Sequence, residues 1–251
     1  MAVIKTKGLV IRETSVSDTD KIITLLTEDC GKISVSAKGA KRPVSRSGYG
    51  TQIFTYGQYV LFKGNSTYSL NGCDTITQFY SLSSNLEGFT HAAHMIELAS
   101  DAASDTQTTA LVLNLLLHGL NALVKGRNPL LISSAFSIKL MQILGFPPHM
   151  TSCALCNTTE METLHFSFAQ CGILCDNCAK QAENTILLEP GTAKAILHIL
   201  CSDHSNVYKF ELSPDNLTAL ARIAGRYVSE RLDKQYRKLD FLREIDFKYH
   251  Y

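Results

Sequence analysis

Five of the chain's eight cysteines fall in one stretch, CALCNTTEMETLHFSFAQCGILCDNCAK, which begins at Cys153. Cys153 and Cys156 make one C-x2-C knuckle, and Cys175 and Cys178 make a second after eighteen intervening residues. A knuckle of this kind turns tightly enough to offer two thiolates to one ion. Two of them complete the tetrahedron that Zn2+ prefers, with Zn–S distances of about 2.3 Å. Four thiolates close the coordination sphere and leave no position for an activated water. The expected chemistry is therefore structural, with one zinc ion holding the segment together. A redox pair at Cys153 and Cys156, or plain burial of free thiols, is the competing account. One knuckle arises easily by chance, whereas two at this spacing do not. Cys171 could replace Cys175, but the step between them is wider than a knuckle, and Cys171 is read as a bystander. Cys30, Cys73 and Cys201 are isolated and read as packed residues.

A second group of residues could hold a polyanion. From Cys30 to Cys73 there is no Asp or Glu, yet Lys32, Lys38, Lys41, Arg42, Arg46 and Lys63 all lie there. The densest part, AKGAKRPVSRSG, mixes bases with Gly, Pro and Ser and reads as a loop between strands. Such a loop can follow a phosphate backbone, each neutralised phosphate releasing counterions. Tyr49, Phe54, Tyr56 and Tyr59 lie in or just beyond it and could stack on bases, although core packing is favoured for Phe54 and Tyr59. A further basic run comprises Arg222, Arg226, Arg231, Lys234, Arg237, Lys238, Arg243 and Lys248. It is interleaved with Glu230, Asp233, Asp240, Glu244 and Asp246, so i,i+4 pairing on a solvated helix face accounts for most of it.

The elements that must position these groups differ along the chain. The first eighty residues read as five short strands. A turn at EDCG joins DKIITLLT to KISVSAK, and Gly64-Asn65 joins QYVLFK to TYSLNG. Such a set makes a small barrel of the OB or SH3-like kind. After about Tyr80 the pattern turns helical. ALVLNLLLHGLNALV is apolar nearly all round, as expected of a helix buried in a bundle. PLLISSAFSIKLMQILG sets Ile132, Phe136, Leu140 and Ile143 at helical spacing and stops at Gly145 and Pro147-Pro148. PGTAKAILHIL forms a further helix. The last opens on Ser213-Pro214-Asp215 and carries Leu217, Leu220, Ile223, Tyr227 and Val228 as its apolar stripe. The fold class is α+β, with a barrel over residues 1–80 and a helical domain over 81–251 that carries the cysteine module at about 150–182.

Formal net charge is only +1, so affinity for nucleic acid has to come from local clustering of charge. The first residues lack the apolar core of a signal peptide, and the longest apolar run falls short of the ~20 residues a membrane span needs. A cytoplasmic protein without a membrane partner is expected, where clustered thiols point to metal. His91, His94 and Glu97 share a helix face, but HAAHMIELAS reads as a packing segment. No phosphate-binding Gly-Lys-Thr loop, dinucleotide glycine pattern or Gly-x-Ser-x-Gly elbow occurs, and nothing argues for an enzyme.

Two segments together resemble the RecO family of DNA repair and recombination mediators. One is GLVIRETSVSDTDKIITLLTEDCGKISVSAKGAKRPVSRSG, with a Gly-Leu-Val strand, an Asp before the second strand, Gly-Lys after a turn and then Ala-Lys-Gly-Ala followed by two bases. The other is CALC…LHFSFAQCGILCDNCA, similar to the family's zinc segment, which usually has Gly-Gly where Cys171-Gly172 stand here. The resemblance implies an N-terminal OB-fold and a helical domain with a zinc module. It implies binding of single- and double-stranded DNA, annealing of complementary strands and cooperation with RecR. It further implies help to RecA in displacing single-strand-binding protein, and a nucleoid-associated place in the cytoplasm. Some members take the C-terminal tail of single-strand-binding protein in a groove of the helical domain, for which Lys125, Arg127 and Lys139 are the basic candidates here. Ser134 and Ala135 stand where the family has an arginine before the helix Phe. A zinc-containing interaction adaptor with incidental DNA binding is the alternative reading.

Overall fold

The computed structural model describes residues 2–42, 48–64 and 67–242. Arg46, Asn65, Arg243, Glu244, Asp246 and Lys248 lie outside the described residues. Two compact units divide the chain at Met1–Val124 and Lys125–Tyr251. The change of sequence pattern falls earlier, near Tyr80, because the first two helices pack with the barrel.

In the first unit, strands β1 (Ala2–Ser15), β2 (Lys21–Thr27), β3 (Lys32–Ala37), β4 (Thr55–Lys63) and β5 (Tyr68–Gln78) close in the order β1-β2-β3-β5-β4. At 14 residues β1 is long enough to pair antiparallel with both β2 and β4. The closing seam between β3 and β5 is parallel and only two pairs long, Val35 with Tyr68 and Ser36 with Ser69. This is the partly open five-stranded arrangement of an OB-fold. Alternate residues point inward, and Val10, Ile23, Leu25, Ile33, Val35, Tyr59 and Leu61 make the core. Tyr59 is fully buried, and its hydroxyl donates to the Gly50 carbonyl at 2.8 Å, which satisfies the polar end of the side chain.

Helices α1 (Leu86–Ala102) and α2 (Thr106–Val124) complete this unit. The Asn85 side chain caps α1 by accepting from the Gly88 amide. The sequence suggests that α2 is buried all round, and the structure corrects this. Val112, Leu113, Leu115, Leu116, Leu120 and Leu123 are buried, while Leu111, Asn114, Asn121 and Val124 are exposed. Only one side of the helix is covered, by α1 and β2. By length and composition alone α2 could cross a membrane, contrary to the sequence reading, but half of that apolar window is buried inside the unit.

The second unit is built around α3 (Pro129–Ile143), flanked by α5 (Pro190–Cys201) and α6 (Pro214–Arg231). Every residue of α3 from Leu131 to Met141 is buried. Its serines satisfy themselves on the preceding turn, Ser134 on Leu130 O at 2.7 Å and Ser137 on Ser133 O at 2.8 Å. The stripe expected on α6 is buried throughout. A small sheet in the order β7-β6-β8 separates α3 from α5 in the chain. It comprises β6 (Leu164–Ser167), β7 (Gly172–Leu174) and β8 (Thr185–Leu188), with α4 (Asp176–Ala179) after β7. Phe166 of β6 packs edge-on against Tyr227 of α6, with ring centroids 5.9 Å apart.

Candidate functional site

The β6–β7 hairpin and its flanks bring the two knuckles together. The Sγ atoms of Cys153, Cys156, Cys175 and Cys178 all lie within 4.8 Å of one another, and Cys156 to Cys175 is 3.8 Å. A tetrahedron with metal–sulfur bonds of about 2.3 Å has edges of about 3.8 Å. The donor set therefore fits a tetrahedral thiolate-binding ion. The first knuckle is tied to β7 by the Ala154 amide, which donates to Ile173 O at 2.8 Å. It closes on itself through Asn157 N to Cys153 O at 2.9 Å, with Asn157 in the left-handed region. The second knuckle starts where β7 ends and turns into α4, the Ala179 amide donating to Cys175 O at 2.9 Å. Asp176, between the second pair of cysteines, accepts from Thr163 and sits 3.0 Å from His165 Nε2 on β6. These contacts, that with Thr163 foremost, hold its carboxyl below the usual range.

The thiols themselves are unequal. Burial pushes Cys153 up, but amide hydrogen bonds from Cys156, Cys175 and Leu155 outweigh it and bring the thiol down to about 6. Cys178 is pushed up to about 12, first by its contact with Cys175 and then by burial. Cys171 stands outside the group of four. Its Sγ accepts from Arg231 Nη1 at 3.1 Å, and its backbone is left-handed at φ +54°. Its neighbour Gly172 has to be glycine, because a Cβ there would come within 2.5 Å of His149 O.

The basic candidates do not form a single patch. Lys32 begins β3 and donates to Ser100 O at 2.5 Å, tying the strand to the end of α1. Lys63 ends β4 near Cys30 and opposes the upward push of burial and Asp29 on that thiol. Lys38 follows the other end of β3, about 20 Å along the strand from Lys32. Lys38, Lys41 and Arg42 are exposed together there. The chain carrying them folds back on the β1–β2 turn. Lys41 donates from its amide to Thr19 O at 3.0 Å and from Nζ to Ser17 O at 2.9 Å. The Gly39 amide donates to Asp20 Oδ1 at 2.7 Å, and Gly39 itself is left-handed at φ +66°. Asp20 is the Asp before the second strand in the family resemblance, but it is not among the DNA contacts read from the sequence. Its signal is the run Ser17-Asp18-Thr19-Asp20, residue types that bond turn backbones. Of the four aromatic candidates, Phe54 and Tyr59 are buried, and Tyr56 is half-buried with its hydroxyl on Glu28 at 2.7 Å. Tyr49 is 73% exposed.

Arg127, just before α3, and Lys139 are also separated, by about 15 Å of helical rise from the start of α3. Arg127 donates to Tyr208 O at 2.8 Å and lines a cavity of about 460 Å3 with Asn128, Leu131, Phe210, Glu211 and Leu217. Lys139 is 7% exposed, and its ammonium donates to Leu200 O at 3.1 Å and Ser202 O at 2.6 Å, where it caps the end of α5. Burial lowers its pKa, and Cys201 and Asp203 oppose that shift. In the C-terminal basic run, Arg226 pairs with Glu230 at 2.6 Å in the expected i,i+4 manner and lies over the Phe168 ring.

Known proteins match this sequence along nearly the whole chain. The model of the recombination protein O N-terminal domain matches residues 1–79, and that of its C-terminal domain matches residues 83–240. The DNA repair protein RecO of Acetivibrio thermocellus is 40% identical over 98% of this chain and 98% of its own length. Those of Alkaliphilus metalliredigens and Caldicellulosiruptor bescii are each 32% identical, covering 96% and 98% of this chain and 99% and 100% of their own. With both domain models matched in order and relatives this similar end to end, the chain belongs to the RecO family of DNA repair proteins.

Proposed function

We propose that this protein binds DNA through the loop bearing Lys38, Lys41 and Arg42, with Tyr49 as a stacking surface, and acts as a recombination mediator. The observation that carries the reading is the loop itself. Three exposed cations sit on a segment pinned to the β1–β2 turn by backbone bonds and by the Lys41 ammonium on Ser17 O, so phosphates meet a charge array that is already formed. Neutralised phosphates release counterions, and the bases of the held strand stay open for pairing. Reduced repulsion between two such strands accelerates annealing of complementary DNA, single- and double-stranded segments both being ligands. Cooperation with RecR, and through it help to RecA on DNA covered by single-strand-binding protein, complete the role. The cavity beside Arg127 is the remaining candidate for the tail of single-strand-binding protein, since Lys139 is committed to α5. Such work places the protein in the cytoplasm at the nucleoid and requires no covalent chemistry.

The four cysteines hold one Zn2+ in this reading, closed to substrate and serving the fold. The test of the DNA contact uses the full chain with Lys38, Lys41 and Arg42 all changed to Ala. Single-strand affinity should fall, and the slope of log K against log salt should lessen by about 0.7 for each lost phosphate contact. The melting temperature should hold, because exposed loop cations contribute little to folding. Unchanged affinity and slope in the folded variant would remove the loop from the DNA interface.

A further inference from the structure

We propose that Asp20 is a positioning residue for the DNA-contacting loop, fixing the backbone from which Lys38, Lys41 and Arg42 project. The inference rests on the reading of that loop as the DNA contact. Its starting point is a conflict of charge. A carboxylate among exposed cations repels the phosphates that those cations attract, so by Coulomb interaction alone the site would bind DNA better without it. The geometry supplies the reason it is there.

Asp20 Oδ1 accepts from the Gly39 amide at 2.7 Å and from the Thr19 hydroxyl at 3.0 Å. The turn that presents it is ordered by the Ser17 hydroxyl, which accepts from the amides of Asp20 at 3.0 Å and Thr19 at 3.3 Å. Gly39 reaches the carboxylate only by adopting φ +66°, a conformation in which the Arg42 amide closes onto Gly39 O at 3.1 Å. That closure lays the Arg42 side chain across Gly39, with Cδ and Nε 3.7 Å from where a Cβ would stand. The Gly39 amide, then the Thr19 hydroxyl, then the charges of Arg42 and Lys38 keep the carboxyl below its ordinary range, so it stays an acceptor at neutral pH. With the Lys41 bonds to Thr19 O and Ser17 O, this acceptor oxygen orders residues 38–42 before DNA arrives, and that ordering need not be supplied on binding.

The two roles of Asp20 predict opposite signs. Asp20→Asn keeps an acceptor for the Gly39 amide and removes the negative charge. Asp20→Ala removes both. We expect Asp20→Ala in the full chain to bind an oligo-dT strand more weakly, on the order of tenfold at low salt, the size of one or two lost phosphate contacts. It should also lose hydrogen-exchange protection at the Gly39 amide. Asp20→Asn should bind as tightly as wild type or tighter and keep that protection. Equal or tighter binding by folded Asp20→Ala, with the triple Lys38, Lys41 and Arg42 variant weakened, overturns the positioning role and leaves the DNA contact standing. Unchanged binding by the triple variant overturns the DNA contact itself. Should Asp20→Ala fail to fold, Asp20→Asn decides: binding below wild type means the charge and not the acceptor matters, which also overturns the assignment.

Discussion

The cysteine module and the basic loop are both short irregular segments, and they are held in opposite ways. In the module four side chains turn inward toward one point, while the backbone follows them through left-handed residues such as Asn157. In the loop the backbone is held by Asp20 and by the Thr19 carbonyl, and the Lys41 ammonium by Ser17 O, while Lys38 and Arg42 face solvent. The contrast shows where each segment is vulnerable. A module that stores its stability in convergent side chains loses structure when one is removed. A loop that stores it in main-chain bonds loses only its ligand.

The largest effect should therefore come from the module. Cys156→Ser or Cys178→Ser is expected to abolish a one-to-one zinc content and to destabilise the protein by several kcal/mol, since thiolate–zinc binding free energy is folding free energy. Metal analysis and thermal unfolding of protein purified under reducing conditions read both. A wild-type protein that carries no zinc, or a Cys156→Ser variant that keeps metal and melting temperature, would break the comparison on the module's side.

Lys139 sharpens it from the other direction, as a cation that serves the fold. Lys139→Met removes two charge-assisted hydrogen bonds from the end of α5 and should cost about 2 kcal/mol, with DNA affinity unchanged. Weakened binding of the single-strand-binding-protein tail peptide at an unaltered melting temperature would instead return Lys139 to the tail groove. The smallest effect is expected at Cys171. Its left-handed backbone suits glycine better, so Cys171→Gly should alter stability by no more than about 1 kcal/mol, with the lost Arg231 contact opposing the relief of strain. Zinc content should be unchanged, and its loss in this variant would move Cys171 into the ligand set.

How much of this could be read in the sequence follows from what each signal encodes. Ligand spacing survives folding because a knuckle fixes its own geometry, so Cys153, Cys156, Cys175 and Cys178 were legible with no knowledge of their surroundings. The sheet that frames them was not, because strands of three and four residues are too short for alternation to show. Charge along a chain is a poorer guide. An acid-free run says nothing about Asp20, which lies before it in sequence and beside it in space, nor about the Ser100 carbonyl that claims Lys32. β4 and the stripe on α6 were legible because burial of one face leaves a period, whereas β1 and β5 show none and were legible by their residue types and turns. On α2 the apolar content exceeded what its neighbours cover, and on α3 the serines and Lys139 hid a helix buried on all sides.

The length of β1 has a consequence for synthesis. Its pairing with β2 closes a short hairpin, but its other edge waits for β4, whose partner residues lie some fifty positions later, as Lys5 with Val60 illustrates. A nascent chain thus carries β1 with one edge open until β4 has been made. At about 5–20 residues per second that interval lasts several seconds. During it, the partly apolar strand between Gly8 and Ile11 is available to any extended chain nearby, so a strand that the finished barrel pairs along both edges stays open on one while the protein is being born.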